Sequence, residues 1–251
     1  MHRFWIEGSA GPGEEVSLSP EDVRHADRVL RMRPGDACEL LGGGARLLGE
    51  ITALSGTEGR VRVVRALPST EARLRITLFQ GLPKGDKIEL IVQKAVELGA
   101  DSVVPVVMPR SVSRLDPGDA ARKRDRWQKI AAEACKQSGR CRMPEVGTPI
   151  DAKRLPEALK GFDAAIVPWE DARSLSLKRF AADHPDLRDL AVVIGPEGGM
   201  GEDEIADMRA VGCCPVTLGP RILRTETAGL AALAALMALY DEMEAVPCPE
   251  A

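Results

Sequence analysis

Two tight turns, each set where a short apolar run hands over to a helix, constrain this 251-residue chain more than any other feature. In the first, Ala191, Val192, Val193 and Ile194 form an unbroken apolar run that Gly195-Pro196-Glu197-Gly198-Gly199 follows at once. In the second, Pro215-Val216-Thr217-Leu218 leads into Gly219-Pro220-Arg221-Ile222-Leu223-Arg224-Thr225-Glu226-Thr227-Ala228. A continuous apolar run of this kind suits a strand buried on both faces. Ligands of open α/β sheets sit at the carboxyl ends of strands, so the two turns predict two walls of one pocket.

The chain leading to these turns alternates strand and helix from Arg75 onward, the pattern of an α/β domain. Ile76 to Leu82 reads as a strand. Ile88, Ile91, Val92, Ala95 and Val96 then mark an amphipathic helix that stops at Gly99, and Asp101 to Met108 is the next strand. Helices are expected over Ala120 to Ser138, with Trp127, Ile130, Ala131, Ala134 and Cys135 inward, and roughly over Asp151 to Lys160. Ala164 to Val167 is a further strand ending in Pro168-Trp169-Glu170, where Trp169 reads equally as a pocket or a core aromatic. The last helix, from about Thr225, is apolar nearly all round, so it must be buried in the core or against a second copy.

Residues 1 to about 70 read differently, as a small β-rich unit with one helix. Ser19-Pro20-Glu21-Asp22 is a helix start, with a capping Ser, Pro in the first turn and acids that complement the dipole. Val23, Ala26 and Leu30 mark one face of that helix and Arg24, Arg28 and Arg31 another, either a phosphate-holding or a solvated face. Strands are expected around Cys38 to Leu41, Leu47 to Ala53 and Arg60 to Ala66, and Pro68 to Ala72 reads as a linker.

The formal net charge of −4 argues against a nucleic-acid partner until it is divided along the chain. Met1 to Thr70 carries a net −1, Glu71 to Arg142 a net +6 and Met143 to Ala251 a net −9. A basic middle third points to a polyanionic partner, although Arg122, Lys123, Arg124, Arg126 and Lys129 could simply solvate a helix face. Six cysteines without a C-x-x-C pair and three scattered histidines give no zinc pattern and no disulfide framework, and buried reduced thiols are expected. Neither an export signal nor a run of the ~20 apolar residues needed to span a bilayer is found, so a cytoplasmic protein is expected. Gln80 to Lys87 lacks the spacing of a P-loop, and G-x-G-x-x-G is absent, which weakens a dinucleotide reading.

IGPEGG at Ile194–Gly199, paired with LG-x-RILRTETA at Leu218–Ala228, resembles the ribosomal small-subunit uridine N3-methyltransferase family within the knotted SPOUT class of RNA methyltransferases. QGLPKGDKIELIVQKAVELGA at Gln80–Ala100, Arg110-Ser111-Val112 and Gln137-Ser138-Gly139-Arg140 extend the resemblance. So do Arg3-Phe4, His25, Val29-Leu30-Arg31 and Gly35-Asp36. The chain departs from the family's pattern at Leu41-Gly42-Gly43-Gly44 and at Met200-Gly201. The resemblance implies a PUA-like RNA-binding β-barrel over residues 1–70, a SPOUT methyltransferase domain with a trefoil knot over 73–245, and a homodimer. It implies S-adenosylmethionine as cofactor and 16S rRNA of the small ribosomal subunit as partner, with no metal and no membrane.

Most of S-adenosylmethionine can be held by backbone groups in tight turns, and glycines let the ligand approach closely. Gly195, Pro196, Glu197, Gly198, Gly199, Leu218, Gly219, Ile222 and Leu223 are the candidates for that task, in agreement with the family's pattern. Methylating N3 of uracil requires its proton to leave, and a fixed guanidinium near the flanking oxygens favours the resulting anion; a shift of three pKa units corresponds to about 4 kcal/mol. Arg224 and then Arg221 are the candidates. Glu226 could take the proton or simply complement the helix dipole. N3 lies on the Watson–Crick edge, so the uridine must be unpaired or flipped out. Arg3, Arg24, Arg28, Arg31, Lys84, Lys87, Arg110, Arg114 and Arg140 are the candidates for holding RNA around it. Alternatives at this point are a related SPOUT enzyme acting on a ribose 2′-hydroxyl and a non-enzymatic RNA-binding or ribosome-assembly factor.

Overall fold

The computed structural model describes residues 1–111 and 117–244. Val112, Arg114, Cys248 and the last residue of the expected 73–245 domain lie outside the described residues. The chain forms two compact units, Met1–Glu71 with Glu133–Met143, and Ala72–Ala132 with Pro144–Ala251.

The first unit is a mixed sheet in the order β1-β3-β4-β5-β2. Its strands are β1 (His2–Trp5), β2 (Glu15–Ser17), β3 (Ala37–Gly42), β4 (Ala45–Ser55) and β5 (Glu58–Leu67). β1 runs parallel to β3, and the other pairs are antiparallel. In β5 Val61 and Val63 are buried while Arg60, Arg62 and Val64 are exposed, the alternation of a strand with one wet face. Helix α1 (Pro20–Arg24) starts where Ser19 caps it, its hydroxyl accepting from the Asp22 N–H at 3.1 Å. The expected longer helix instead becomes one π-helical turn, His25–Val29, followed by Arg31 at a positive φ of 54°. Val23 and Ala26 still reach the core with Phe4, Leu40 and Ile51.

The second unit holds seven parallel strands in the order β12-β10-β11-β6-β7-β8, with the short β9 also pairing β7. In chain order its elements are β6 (Arg75–Gly81), α2 (Lys87–Glu97), β7 (Ser102–Val107), α3 (Pro117–Ser138), β8 (Glu145–Val146) and β9 (Ile150–Asp151). There follow α4 (Leu155–Leu159), β10 (Ala164–Pro168), α5 (Leu177–Asp183), β11 (Asp189–Ile194), α6 (Glu202–Ala210), β12 (Cys214–Val216) and α7 (Thr225–Leu239). The final turns of α3 belong to the first unit.

All of Leu190 to Ile194 is buried, which accounts for its unbroken apolar run. Ala191 and Val193 join Phe79, Val167, Ile205 and Met208 on one face. On the other face Leu78 and Ile194 lie against Gly229 of α7, whose missing side chain lets the helix lie close. From the edge strand β12 the chain returns to mid-sheet, where α7 packs on β6, β11, α2 and α5. Among the described residues no helix is long and apolar enough to cross a membrane, and no group of side chains could hold a metal ion. Burial pushes the Cys38 and Cys213 thiols up to about 12 and that of Cys135 up to about 11, as suits inert core residues.

Candidate active site

A cleft of about 490 Å³ opens at the carboxyl ends of three adjacent strands. Pro168 to Asp171 and Arg173 run from the end of β10, Ile194 to Met200 from the end of β11, and Thr217 to Leu223 follow β12, all of them in its wall apart from Glu197 and Gly198; Thr225 and Ala228 of α7 also line it. Parallel strands end together, so their turns face one space, as the two glycine-rich motifs led us to expect.

The first turn is held from several sides. Gly81 at the end of β6 admits no side chain, since a Cβ there would come within 2.7 Å of the Pro196 nitrogen. A Cβ on Gly198 would lie 2.8 Å from the Arg110 carbonyl oxygen, and Gly199 adopts φ +69°. The Gly201 N–H, capping α6, donates to Glu204 at 2.9 Å. Glu197 points out of the cleft: its carboxylate accepts from the Lys84 N–H at 3.0 Å and pairs with Lys87 at 3.4 Å. Burial alone would raise the Glu197 carboxyl, but these donors and its own N–H outweigh it and hold the group below the usual range.

The second turn is pinned by a backbone bond from the Thr217 N–H to the Leu175 carbonyl, and Gly219 turns at φ +100° with open space where a Cβ would stand. Thr225 joins the two turns directly. Its hydroxyl donates to the Gly195 carbonyl at 2.6 Å and accepts from the buried Gln80 amide at 2.9 Å. Arg221 and Arg224 are both exposed, and among the described residues neither has an ion-pair partner. Arg221 lines the cleft, and Arg224 is the residue on which α7 begins. Ile222, 82 % exposed, lines the cleft beside Leu223.

Glu226 sits in the first turn of α7 with Lys87 3.1 Å away. Its own backbone N–H and the Lys87 ammonium hold its carboxyl below the usual range. It is therefore an anion at neutral pH and a poor proton acceptor. Lys87, whose ammonium is raised chiefly by Glu226, bridges the two motifs as a tie rather than as a free cation.

The basic residues expected to hold RNA divide by environment. Arg24, Arg28, Arg31 and Lys84 are exposed. Arg110 is exposed beside the first turn, its guanidinium 3.5 Å from the Gly198 carbonyl. Arg3 is tied to Glu39 at 3.3 Å and to the Gln137 carbonyl at 2.8 Å. Arg140 corrects the expectation outright: it is 5 % exposed and bound to Glu71 at 2.7 Å, so its charge holds the first unit together and does not face solvent. Arg114 lies outside the described residues.

The sequence reading missed Glu170, Asp171 and Arg173 in the cleft wall and the Gln80–Thr225 pair behind it. For the first three a signal was present, since they directly follow the strand that ends at Pro168. Trp169 lines the cleft, with the Arg209 guanidinium 5.7 Å from its ring centroid, and also packs on the core.

Comparison with known proteins bears on this arrangement. The model of an RNA methyltransferase domain matches residues 70–237. Ribosomal RNA small subunit methyltransferase E of Bacillus subtilis is 36% identical over 247 residues, covering 94% of this chain and 96% of that protein. The protein of the same name from Mycobacterium tuberculosis is 32% identical, covering 96% and 93%. Among solved structures, ribosomal RNA small subunit methyltransferase E from Neisseria gonorrhoeae bound to S-adenosyl methionine superposes with a TM-score of 0.80 at 34% identity, covering 96% of this chain and 98% of that one.

Proposed function

Because this chain belongs to the ribosomal RNA small subunit methyltransferase E family, we propose that it methylates N3 of a specific uridine in 16S rRNA of the small ribosomal subunit, with S-adenosylmethionine as donor. The observation that carries the reading is the bond between Thr225 and Gly195, which turns both family motifs toward one cleft. The cleft suits the donor: its volume lies within the ~300–1,000 Å³ of small-molecule sites, its walls combine the two glycine-rich turns with apolar and charged side chains, and the open space at Gly219 leaves room beside the chain. Gly195, Pro196, Gly199, Leu218, Gly219, Ile222 and Leu223 would hold it within that wall, with Glu197 and Gly198 shaping the first turn from behind. Bound there, the donor supplies an electrophilic methyl group.

Arg221 in the cleft wall and Arg224 at the start of α7, neither with an ion-pair partner among the described residues, bring positive charge that would favour loss of the uracil N3 proton by stabilising the oxygens that take up the negative charge. Glu226 serves to hold Lys87 and the helix start, and the N3 proton, made more acidic by the guanidinium charge, is given up to base in the surrounding solvent. Arg24, Arg28, Arg31, Lys84 and Arg110 are the cations left to engage RNA phosphates, which position a substrate without reading its sequence. A PUA-like character for residues 1–70, a trefoil knot in the second domain and a homodimer belong to the same reading. The return of α7 from the sheet edge to its centre and the apolar surface of that helix support the last two. A substrate in the ribosome implies a cytoplasmic enzyme.

The test incubates the protein and methyl-labelled S-adenosylmethionine with small subunits lacking the modification, followed by nucleoside analysis. Labelled N3-methyluridine is expected, and Arg224→Ala should lower kcat at least a hundredfold while cofactor affinity holds. A labelled 2′-O-methyl nucleoside, or no label, overturns the proposal.

A further inference from the structure

Aromatic and cysteine side chains aside, only two polar side chains are buried among the described residues of the second unit, Gln80 and Thr225, and they bond to each other. The buried charged groups of the first unit, Glu39 and Arg140, are accounted for by ion pairs, whereas Gln80 has no charge to neutralise. Gln80 is fully buried near the end of the central strand β6, in register with Ile194. Its Nε2 donates to Thr225 Oγ1 at 2.9 Å and to the Gly81 carbonyl at 3.1 Å.

The direction of this chain of bonds is set by chemistry. The Gly195 carbonyl can only accept, so the Thr225 hydroxyl spends its one proton there and must accept from its other neighbour. The Gln80 amide nitrogen therefore faces Thr225, and among the described residues the amide oxygen has no hydrogen-bond partner. That oxygen looks at Gly229, where a Cβ would stand 3.2 Å from it. A buried acceptor left unpaired costs stability, and an apolar residue at position 80 would avoid the cost. What an apolar residue could not supply is the pair of donated bonds by which the amide holds Thr225 and the Gly81 carbonyl in place.

We propose that Gln80 is a positioning residue of the methyl-transfer site, acting through Thr225 to set the Gly195 carbonyl and the first turn of α7 in one fixed geometry. It couples the first turn to the residue that follows Arg224, so the donor wall and the cationic group are referred to the same strand of the sheet. The inference rests on the methyltransferase reading for its kinetic consequence, though not for its structural one.

The test compares Thr225→Val, which removes the hydroxyl at nearly constant shape, Thr225→Ser, which keeps it, and Gln80→Met, which removes the donor. Amide hydrogen exchange over residues 195–201 is read without any cofactor, alongside the KM for S-adenosylmethionine, kcat and Tm. Thr225→Val and Gln80→Met should speed exchange in that segment at least tenfold and raise the KM at least fivefold, with Thr225→Ser close to wild type. Unchanged exchange in both variants, or a lower Tm with no local loosening and an unchanged KM, overturns the proposal. Should Gln80→Met fail to fold, Thr225→Val decides alone. If the wild-type chain transferred no methyl group, the functional reading would fail while the exchange comparison would still decide the role of Gln80.

Discussion

Replacing Glu71 by alanine should loosen the first unit by an amount that can be worked from its contacts. The Glu71 carboxylate receives Arg140 Nη2 at 2.7 Å and Nε at 3.3 Å, and the N–H groups of Cys141 and Arg142 at 2.8 and 3.0 Å. The side chains of Arg140 and Glu71 are 7% and 5% exposed. Removing one member of such a pair strands a buried charge and costs about 3–5 kcal/mol. At about 1.4 kcal/mol per tenfold, the opened fraction of the unit rises roughly a hundred- to several-thousandfold. Removing both charges, as in Glu71→Leu with Arg140→Met, should recover much of that loss. Because the chain has two compact units, hydrogen exchange over β3 to β5 is the assay that reads this one.

The same pair has a pH signature. Burial would raise the Glu71 carboxyl, but Arg140 and the two N–H groups outweigh it and hold the folded value below the ordinary 4.5. The stabilisation is therefore fully present above the unfolded value and lost as pH falls through the folded one. Wild type should lose protection in that acid range, and the double variant should not. Wild-type exchange in Glu71→Ala, or an Arg140→Met protein that keeps its first unit and loses RNA affinity with a shallower salt slope, would refute the reasoning.

Gly198→Ala places a methyl group 2.8 Å from the Arg110 carbonyl oxygen and should cost about 1–3 kcal/mol at the first turn, read by calorimetry as roughly a five- to 150-fold loss of S-adenosylmethionine affinity. Lys87→Met releases Glu197 and Glu226 together; since all three are partly exposed, the affinity loss should be small, roughly two- to fivefold, and added salt should shrink it.

Much of the second unit was legible because parallel strands covered on both faces write themselves as apolar runs, as Ala191 to Ile194 does. The cleft was legible for a related reason: a strand end followed by glycines is a local pattern, and two of them imply a shared rim. What escaped depends on distance along the chain. Arg140 looked available because Glu71 is 69 residues away, and Gln80 looked like any strand residue because Thr225 is 145 residues away. β1 and β2 are too short and too polar to show an alternation, and the π-helical turn at His25–Val29 keeps the same buried residues as the helix expected there.

The pairing of β6 with β11 also governs how this protein can be made. Arg75 and Asp189, partners across that pair, are separated by 114 residues, so at about 5–20 residues per second translation leaves one edge of β6 waiting roughly 6–23 s for its neighbour. An unpaired strand edge in a crowded cell is a template for aggregation, and a ribosome-bound chaperone holding the β6–β7 region during that interval would shield it. The bond that brings the two turns together comes later still, since it requires Thr225. A nascent chain stalled before that residue carries the IGPEGG turn but not the hydroxyl that fixes it, so the turn takes its final geometry only after synthesis has passed the start of the last helix.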